Sequence, residues 1–337
     1  MSMIITLAKA YHGDCIWIRY GDEIPVNIIV DSGPASFSAD FRGMVRKIVE
    51  SDGKVDMLIL THIDDDHIKG FERYITDGND CTVFEKVMFN AGISISNGMH
   101  SPYSAANLIN ELKAKSVTVV SPAYKGYQEQ IGKGKLTLLT PVKAATELVL
   151  DLIERETGET LHSGGTSYED LKTIIKNDIY KKDESRTNGA SIAFVLTYKN
   201  RHFAFLGDAH CEDVTEGIQH FFNSCDMDLI KLSHHGSPHN ITKQFLRTVG
   251  GDRFLLSTNK PIDKKTIARI VDTCEYSTVY CNYEWWESDG SVNKSYFTQS
   301  DRKNYLHRGA LSLVGLGADC EKILDSQGDE ICLLRTM

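Results

Sequence analysis

Residues 60–71, with the sequence LTHIDDDHIKGF, hold the densest group of metal-binding side chain types in this chain. His62, Asp64, Asp66 and His67 follow one another in the order His-x-Asp-x-Asp-His. Carboxylates this close repel one another, and burying them is unfavourable unless a positive charge lies nearby. Imidazole and carboxylate groups bind Zn²⁺, Mn²⁺ and Fe ions. The pattern therefore indicates a metal site, and the simpler alternative is a solvated acidic turn.

Two later segments place more polar groups directly after apolar strands. HFAFLGDAH ends its apolar run at Gly207 and Asp208, and DLIKLSHHGSPHN ends its run at His234 and His235. Either segment alone is commonly a turn or a surface feature. The three segments together are more specific, because loops carried by a rigid sheet can bring their side chains to one point.

The elements that must position these groups alternate between strands and helices. Four short apolar runs open the chain and each predicts a strand: MIITLAKA, CIWIRYG, VNIIVDSG and VDMLILTH. Residues 37–53 have the apolar spacing of an amphipathic helix that ends near Gly53. The turn YKNR predicts a later hairpin. The alternation predicts an α/β sandwich with mixed sheets, with Asp31 and His62 where strands end.

The domain organisation is predicted as one domain over residues 1–337. From about residue 142 to residue 186 the sequence becomes charged, helical in parts and interrupted by a Gly/Ser/Thr stretch, which predicts an inserted helical or lid-like segment. Residues 283–337 are predicted to form a C-terminal extension. The sequence contains no internal repeats and no low-complexity tracts.

Composition narrows the classes of function. The net charge of −9 and the pI of about 5.7 argue against a protein that coats nucleic acid through a broad basic surface. The same charge and pI do not exclude a narrow catalytic groove that binds one phosphate at a time. No segment has the length of a membrane span and the first residues do not resemble a signal peptide, so we predict a cytoplasmic protein with no membrane partner. The eight cysteines contain no C-x-x-C pair and are predicted to be reduced.

Six segments together carry a resemblance to a known family: AYHGDCIWIRYG, IIVDSG, THIDDDHIKGF, LTLLTP, TNGAS and KLSHHGS. The sequence resembles the metallo-β-lactamase fold hydrolases over about residues 4–282. Within them it is most similar to the soluble hydrolase domain of bacterial DNA-uptake (competence) channel proteins and their free-standing relatives. The resemblance implies an αββα sandwich. The chain departs from the family at Tyr11, where a glycine is usual, and at Lys69, where the first of two glycines is usual.

The resemblance also implies a set of metal ligands. His62 and Asp64 would hold one ion, Asp66 and His67 would hold the other, and Asp208 would bridge both. His235, or with less support His234, would complete the second site. Asp31 would anchor the loop that carries these ligands without binding an ion itself.

The middle histidine ligand of the family has no clear counterpart here. The matching stretch VMFNAGIS offers Asn90, and the nearest histidines are His100 and His162, both in segments predicted as loops. With Asp64 in place of a histidine, the site is richer in oxygen donors, so we expect two divalent ions that are either Zn²⁺ or Mn²⁺.

The expected activity is metal-dependent hydrolysis, with a phosphodiesterase or nuclease favoured by the resemblance and a phosphodiester or nucleotide as substrate. Asp66 and His234 are the predicted catalytic residues, with His234 either a general acid or an orienting residue. His12 and Asp14 would line the same edge or form a turn beside the sheet. Asn188 and Ser191 would fix nearby loops. The alternatives are a hydrolase of another ester, lactone or amide bond, and an inactive binding protein.

Overall fold

The computed structural model describes residues 3–90, 102–146, 169–222, 227–286, 295–319, 321–324 and 330–335. Within these ranges the chain forms two mixed β-sheets of eight strands each. The first sheet has the strand order β15-β16-β1-β2-β3-β4-β5-β6. Its strands are β1 Met3–Leu7, β2 Ile16–Tyr20, β3 Val26–Val30, β4 Met57–Ile59, β5 Lys86–Met88, β6 Thr118–Val120, β15 Glu321–Leu324 and β16 Glu330–Arg335.

The second sheet has the strand order β14-β13-β12-β11-β10-β9-β8-β7. Its strands are β7 Gln128–Ile131, β8 Gly134–Leu138, β9 Phe194–Tyr198, β10 Arg201–Phe205, β11 Leu229–Lys231, β12 Arg253–Leu256, β13 Ser277–Cys281 and β14 Leu311–Gly315. The predicted hairpin is confirmed, since β9 and β10 are antiparallel and Lys199 and Asn200 between them have positive φ. Each sheet therefore contains both hairpins and parallel crossovers.

Helices cover the outer face of each sheet. They are α1 Ser38–Asp52, α2 Asp65–Thr76, α3 Pro102–Ala114, α4 Leu171–Asn177, α5 Arg186–Gly189, α6 Cys211–Phe221, α7 Lys243–Val249, α8 Lys264–Thr273 and α9 Gln299–Asp301. Short 3₁₀ turns lie at Ala35–Phe37, Cys81–Val83 and His234–Gly236, and a π turn lies at Arg302–Leu306. As predicted, α1 ends where Gly53 adopts the left-handed conformation. No described helix is long and apolar enough to cross a membrane.

Three apolar cores separate these layers. Ile28 packs into the core between the two sheets, whereas its neighbour Ile29 packs into the core between the first sheet and its helices. On the other side, Ile230 and Phe254 of the second sheet share a core with Phe245 of α7. Strands buried on both faces explain the continuous apolar runs in the sequence. The layer order helix–sheet–sheet–helix confirms the predicted α/β sandwich.

Parts of the predicted insertion and of the predicted C-terminal extension pack onto these two sheets and their helices. Within the predicted insertion, α4 packs against α8, while residues 147–168 lie outside the described residues. After residue 283, β14 adds to the second sheet and β16 pairs with β1 in the first. The prediction of reduced cysteines is wrong for Cys332, which is disulfide-bonded. Five other cysteines are free, namely Cys15, Cys81, Cys211, Cys274 and Cys281. Cysteine spacing alone does not reveal which thiols meet in space.

The packing of α2 gives a test of the framework beneath the site. A Cβ atom at Gly70 would lie 1.9 Å from the backbone oxygen of Ser32. Gly70→Ala is therefore expected to lower the free energy of unfolding by about 1–3 kcal/mol, measured by chemical denaturation of the metal-free protein. Gly43→Ala is the matched helical control, because nothing lies within 4 Å of its Cβ. Equal stability of the two variants would contradict this packing.

Candidate metal centre

The candidate ligands all leave strands at their carboxyl ends. His62 and Asp64 lie in the loop after β4, and Asp66 and His67 lie in the first turn of α2. Asp208 follows β10, and the 3₁₀ turn His234–Gly236 follows β11. Because β3 runs parallel to β4 and β10 runs parallel to β11, these loops gather at one edge of each sheet.

One group of donor atoms surrounds His62. Its Nε2 atom lies 3.6 Å from Oδ2 of Asp64 and 3.8 Å from Oδ2 of Asp208. Nε2 of His234 lies 3.8 Å from that same oxygen of Asp208. We call His62, Asp64, Asp208 and His234 the first donor group.

A second group surrounds His67. Its Nε2 atom lies 3.7 Å from Oδ2 of Asp66 and 3.6 Å from Oδ1 of Asp208. Nε2 of His235 lies 3.5 Å from Oδ2 of Asp66 and 4.0 Å from Oδ2 of Asp208. We call Asp66, His67, Asp208 and His235 the second donor group. Asp208 thus faces both groups, and the bridging role that the resemblance implies for it stays a prediction.

The two groups have the spacing and the unsatisfied atoms that suit metal ions. Two ligands held tetrahedrally at about 2.1 Å from one ion lie about 3.4 Å apart. The Nε2 atoms of His62, His67 and His235 and the Oδ1 atom of Asp208 are buried, and none has a hydrogen-bond partner within the described part of the chain. Buried polar atoms are rarely left unpaired without a reason, so the residues fit a pair of divalent ions.

The tautomers of the histidines follow from their other contacts. Asp31 accepts hydrogen bonds from the Thr61 backbone N–H at 2.7 Å and from Thr61 Oγ1 at 2.9 Å. Since the Thr61 hydroxyl proton is used there, its oxygen accepts from Nδ1 of His62 at 3.0 Å. Nδ1 of His67 lies 2.8 Å from Asp31, and Nδ1 of His235 lies 3.0 Å from the Ser257 carbonyl. Each Nδ1 therefore donates, and each Nε2 is directed to the site.

Asp14, Asn188 and Ser191 are all close to the donor groups. Asp14 is buried, lies 3.5 Å from Nδ1 of His235 and pairs with Lys231 at 2.6 Å. Nδ2 of Asn188 lies 3.3 Å from Nδ1 of His234. Ser191 Oγ accepts a hydrogen bond from the Asp208 backbone N–H at 3.1 Å.

His12 differs from these residues because it is exposed. It lies close enough to Asp66, His67 and His235 to interact with them electrostatically, and Lys260 is a further charged neighbour. Although the residue as a whole is exposed, partial loss of hydration is the largest cause that lowers the pKa of His12 below its ordinary value. The structure therefore places His12 at the rim of the site.

Opposite charges shift the pKa values of the buried groups. Burial alone would lower the pKa of His235, but Asp14 and Asp208 outweigh it and raise that pKa to about 10. The pKa of His67 is raised well above its ordinary value because Asp208, Asp66 and Asp31 outweigh the effect of burial. Burial would raise the pKa of Asp208, but the three histidines His67, His234 and His235 hold it well below its usual range. In the metal-free protein at neutral pH, His67 and His235 are therefore in the positively charged form, with a proton on both ring nitrogens.

These raised pKa values predict that metal binding releases protons. An imidazole binds a metal ion only without its Nε2 proton, so Zn²⁺ should displace at least about two protons at pH 7, one each from His67 and His235. The apparent affinity should rise with pH from 6 to 8, because fewer protons then compete. Calorimetric titration in buffers of different ionisation enthalpy counts the released protons. A heat of binding that is independent of the buffer would contradict the prediction.

Several residues of the site escaped the sequence analysis. Thr61, Asp183, Lys231 and Asn240 are buried and contact the histidines or their partners. Only Thr61, which directly precedes His62, had a local signal. Asn90 does not take the place of the family's middle histidine, because both ends of its amide bind the backbone of Ala123 at 2.8 and 2.7 Å. His100 and His162 lie outside the described residues.

Comparison with known proteins gives distant structural similarity. The chain is similar to the metallo-β-lactamase fold protein YhfI from Bacillus subtilis, with 11% identity, a TM-score of 0.43 and coverage of 93% of this chain and 95% of that one. A diphosphatase from the PhnP family has 13% identity, a TM-score of 0.38 and coverage of 90% and 81%. A metallo-β-lactamase from Cronobacter sakazakii with a HARLDQ motif has 11% identity, a TM-score of 0.33 and coverage of 70% and 83%.

Neither of the two sequence comparisons adds a relative. No protein-family model matches the chain, and no curated protein matches its sequence. The structural similarities are too distant to assign an activity, which leaves the side chains of the site as the basis for its chemistry.

Proposed function

We propose that this protein is a hydrolase that uses two divalent metal ions, with phosphodiesters as its favoured substrates. The observation that supports it is the pair of donor groups that share Asp208. When bound, such a pair of ions activates water at neutral pH and neutralises the charge that develops in an in-line displacement. His62, Asp64 and Asp208 would hold one ion, and Asp66, His67, Asp208 and His235 would hold the other.

The donor set suits Zn²⁺ or Mn²⁺. Imidazole nitrogens favour Zn²⁺, while the three carboxylates of Asp64, Asp66 and Asp208 favour a harder ion. The centre also reaches solvent, since the side chains of Asp64 and Asp66 are 35% and 25% exposed. A substrate can therefore approach from the side of the two aspartates, where Lys260 adds positive charge beside the largely neutral His12.

Phosphodiester substrates are favoured by the motifs, which resemble those of the hydrolase domain in DNA-uptake channel proteins. That relationship is itself part of the proposal. The net charge of −9 opposes the binding of long nucleic acids, so a nucleotide or a cyclic nucleotide fits the charge better.

A panel of substrates tests the proposal. Protein reconstituted with Zn²⁺ or Mn²⁺ would be assayed on bis(p-nitrophenyl) phosphate, a cyclic nucleotide and single-stranded DNA, beside a lactone, a thioester and a β-lactam. The Asp66→Ala/His67→Ala double variant is the control. We expect diester cleavage that the double variant loses. Cleavage of the lactone, the thioester or the lactam alone would replace the phosphodiester proposal, and no cleavage at all would favour a binding protein.

A further inference from the structure

The first donor group is one ligand short in the assignment implied by sequence resemblance. His62, Asp64 and Asp208 supply three donors, and the family's middle histidine has no counterpart among the described residues. A site with three protein ligands keeps an open position, whereas the second donor group already has four candidate ligands. For the first site to have four protein ligands as well, one more donor atom must lie near His62 and Asp208.

His234 lies at that position. Its Nε2 atom is 3.8 Å from Oδ2 of Asp208, the oxygen that is also 3.8 Å from Nε2 of His62. Nε2 of the next residue, His235, lies closer to Asp66, at 3.5 Å, than to that oxygen of Asp208, at 4.0 Å. The two imidazole rings are 6.1 Å apart and inclined by 69°. Two adjacent histidines therefore face different donor groups.

The backbone of the turn separates the two rings. His234 and His235 both have left-handed conformations, with φ of 47° and 50°, which side chains other than glycine adopt at a cost of about 1–2 kcal/mol each. Hydrogen bonds hold this turn on both sides: the His234 N–H donates to the Gly207 carbonyl at 3.0 Å, and Thr266 Oγ1 donates to the Gly236 carbonyl at 2.6 Å. A strained and tightly held turn is typical of a functional position.

A buried carboxylate holds the ring of His234 from behind. Nδ1 of His234 lies 3.4 Å from Oδ2 of Asp183 and 3.1 Å from Oδ1 of Asn240. Asp183 also accepts hydrogen bonds from Nδ2 of Asn188 at 2.8 Å and from Nδ2 of Asn240 at 2.9 Å. Because Asn240 donates to Asp183 through its nitrogen, its oxygen is free to accept from Nδ1 of His234. The Nε2 atom is then left to face Asp208.

We propose that His234 is the fourth ligand of the first metal ion, in the place of a middle histidine that the described residues lack, and that Asp183 is the residue that positions it. This inference rests on the proposed metal centre and assigns to His234 a role other than proton donation. Asp183 lies near the end of the predicted insertion, which runs to about residue 186. That segment is fixed to the histidine turn, since the Asp183 backbone N–H donates to the His239 carbonyl at 3.2 Å.

Metal stoichiometry tests this assignment without any activity assay. His234→Asn removes the imidazole and keeps a residue that tolerates the left-handed conformation. We expect this variant to bind one equivalent of Zn²⁺ tightly, measured by calorimetry and elemental mass spectrometry, while the wild type binds two. Asp183→Asn, which is less disruptive, should weaken the first site by about 10–100-fold. His239→Ala is the matched control in the same loop and should still bind two equivalents.

Double variants identify which ion is lost. Adding Asp64→Ala to His234→Asn should leave one equivalent, because both residues serve the same site, whereas adding Asp66→Ala should leave none. Two equivalents of unchanged affinity in His234→Asn would overturn the assignment while the metal centre itself stands. Absence of metal from the wild type would instead overturn the proposed function. Circular dichroism spectra of each variant establish that the fold is kept.

Discussion

Replacing Asp208 with asparagine is expected to lower the rate of diester hydrolysis by at least about 10³-fold and to weaken the binding of both metal ions. Asp208 is the one described carboxylate that lies within 4.0 Å of His62, His67, His234 and His235. The amide keeps the volume of the side chain but removes the negative charge and one donor oxygen. A 10³-fold loss corresponds to about 4 kcal/mol of transition-state stabilisation.

The comparison variant for Asp208 is Asp228→Asn. Asp228 directly precedes β11, whereas His234 and His235 follow the other end of that strand. The Asp228 carboxylate accepts a hydrogen bond from the His202 N–H at 2.9 Å. This variant should keep two metal equivalents and an activity within a few-fold of the wild type. If Asp208→Asn retained both ions with unchanged affinity, Asp208 would not be the shared ligand.

The second large effect concerns stability. Lys231 and Asp14 are 1% and 2% exposed in their side chains and form an ion pair of 2.6 Å. Lys231→Met should lower the free energy of unfolding of the metal-free protein by about 3 kcal/mol, because it removes the nearest cation of a buried carboxylate and leaves the more distant His235, at 3.5 Å, beside it. Although burial would raise the pKa of Asp14, Lys231 and His235 hold it below its ordinary range, so this stabilisation is present at neutral pH and is lost only in strong acid.

A double variant separates charge from packing at this pair. Lys231→Met/Asp14→Asn removes both charges, so it should recover most of the stability that Lys231→Met loses in urea denaturation. If Lys231→Met alone kept a free energy of unfolding within about 1 kcal/mol of the wild type, the prediction would be contradicted, because solvent would then reach the Asp14 carboxylate.

The fold was largely predictable because its signals are local. The apolar runs of β1 to β4 and the spacing of Phe41, Val45 and Ile48 in α1 are visible within windows of a few residues. They suffice to predict layers of sheet and helix. The outer strands after residue 283 were not predicted as parts of the sheets. β16 pairs with β1 at the other end of the sequence, and β14 reaches its parallel partner β13 only after a long connection.

The residues of the candidate site likewise divide into those with a local sequence pattern and those without one. The cluster from His62 to His67 is visible as a local pattern, and the ends of apolar strands revealed Asp208 and the two histidines after β11. Asp183 carries no such signal, since it is one acidic residue in the charged stretch KKDESR. Its function depends on Asn240, which lies 57 residues later. Likewise, the partner of Lys231 lies 217 residues away, and no local pattern connects such pairs.

The most direct test of the central claim is the metal content of the protein. The chain would be purified without chelators, reconstituted separately with Zn²⁺ and Mn²⁺, desalted and analysed by elemental mass spectrometry against protein concentration. Two donor groups that share Asp208 predict about two equivalents of at least one of these ions. One equivalent or less with both ions would contradict the dinuclear centre.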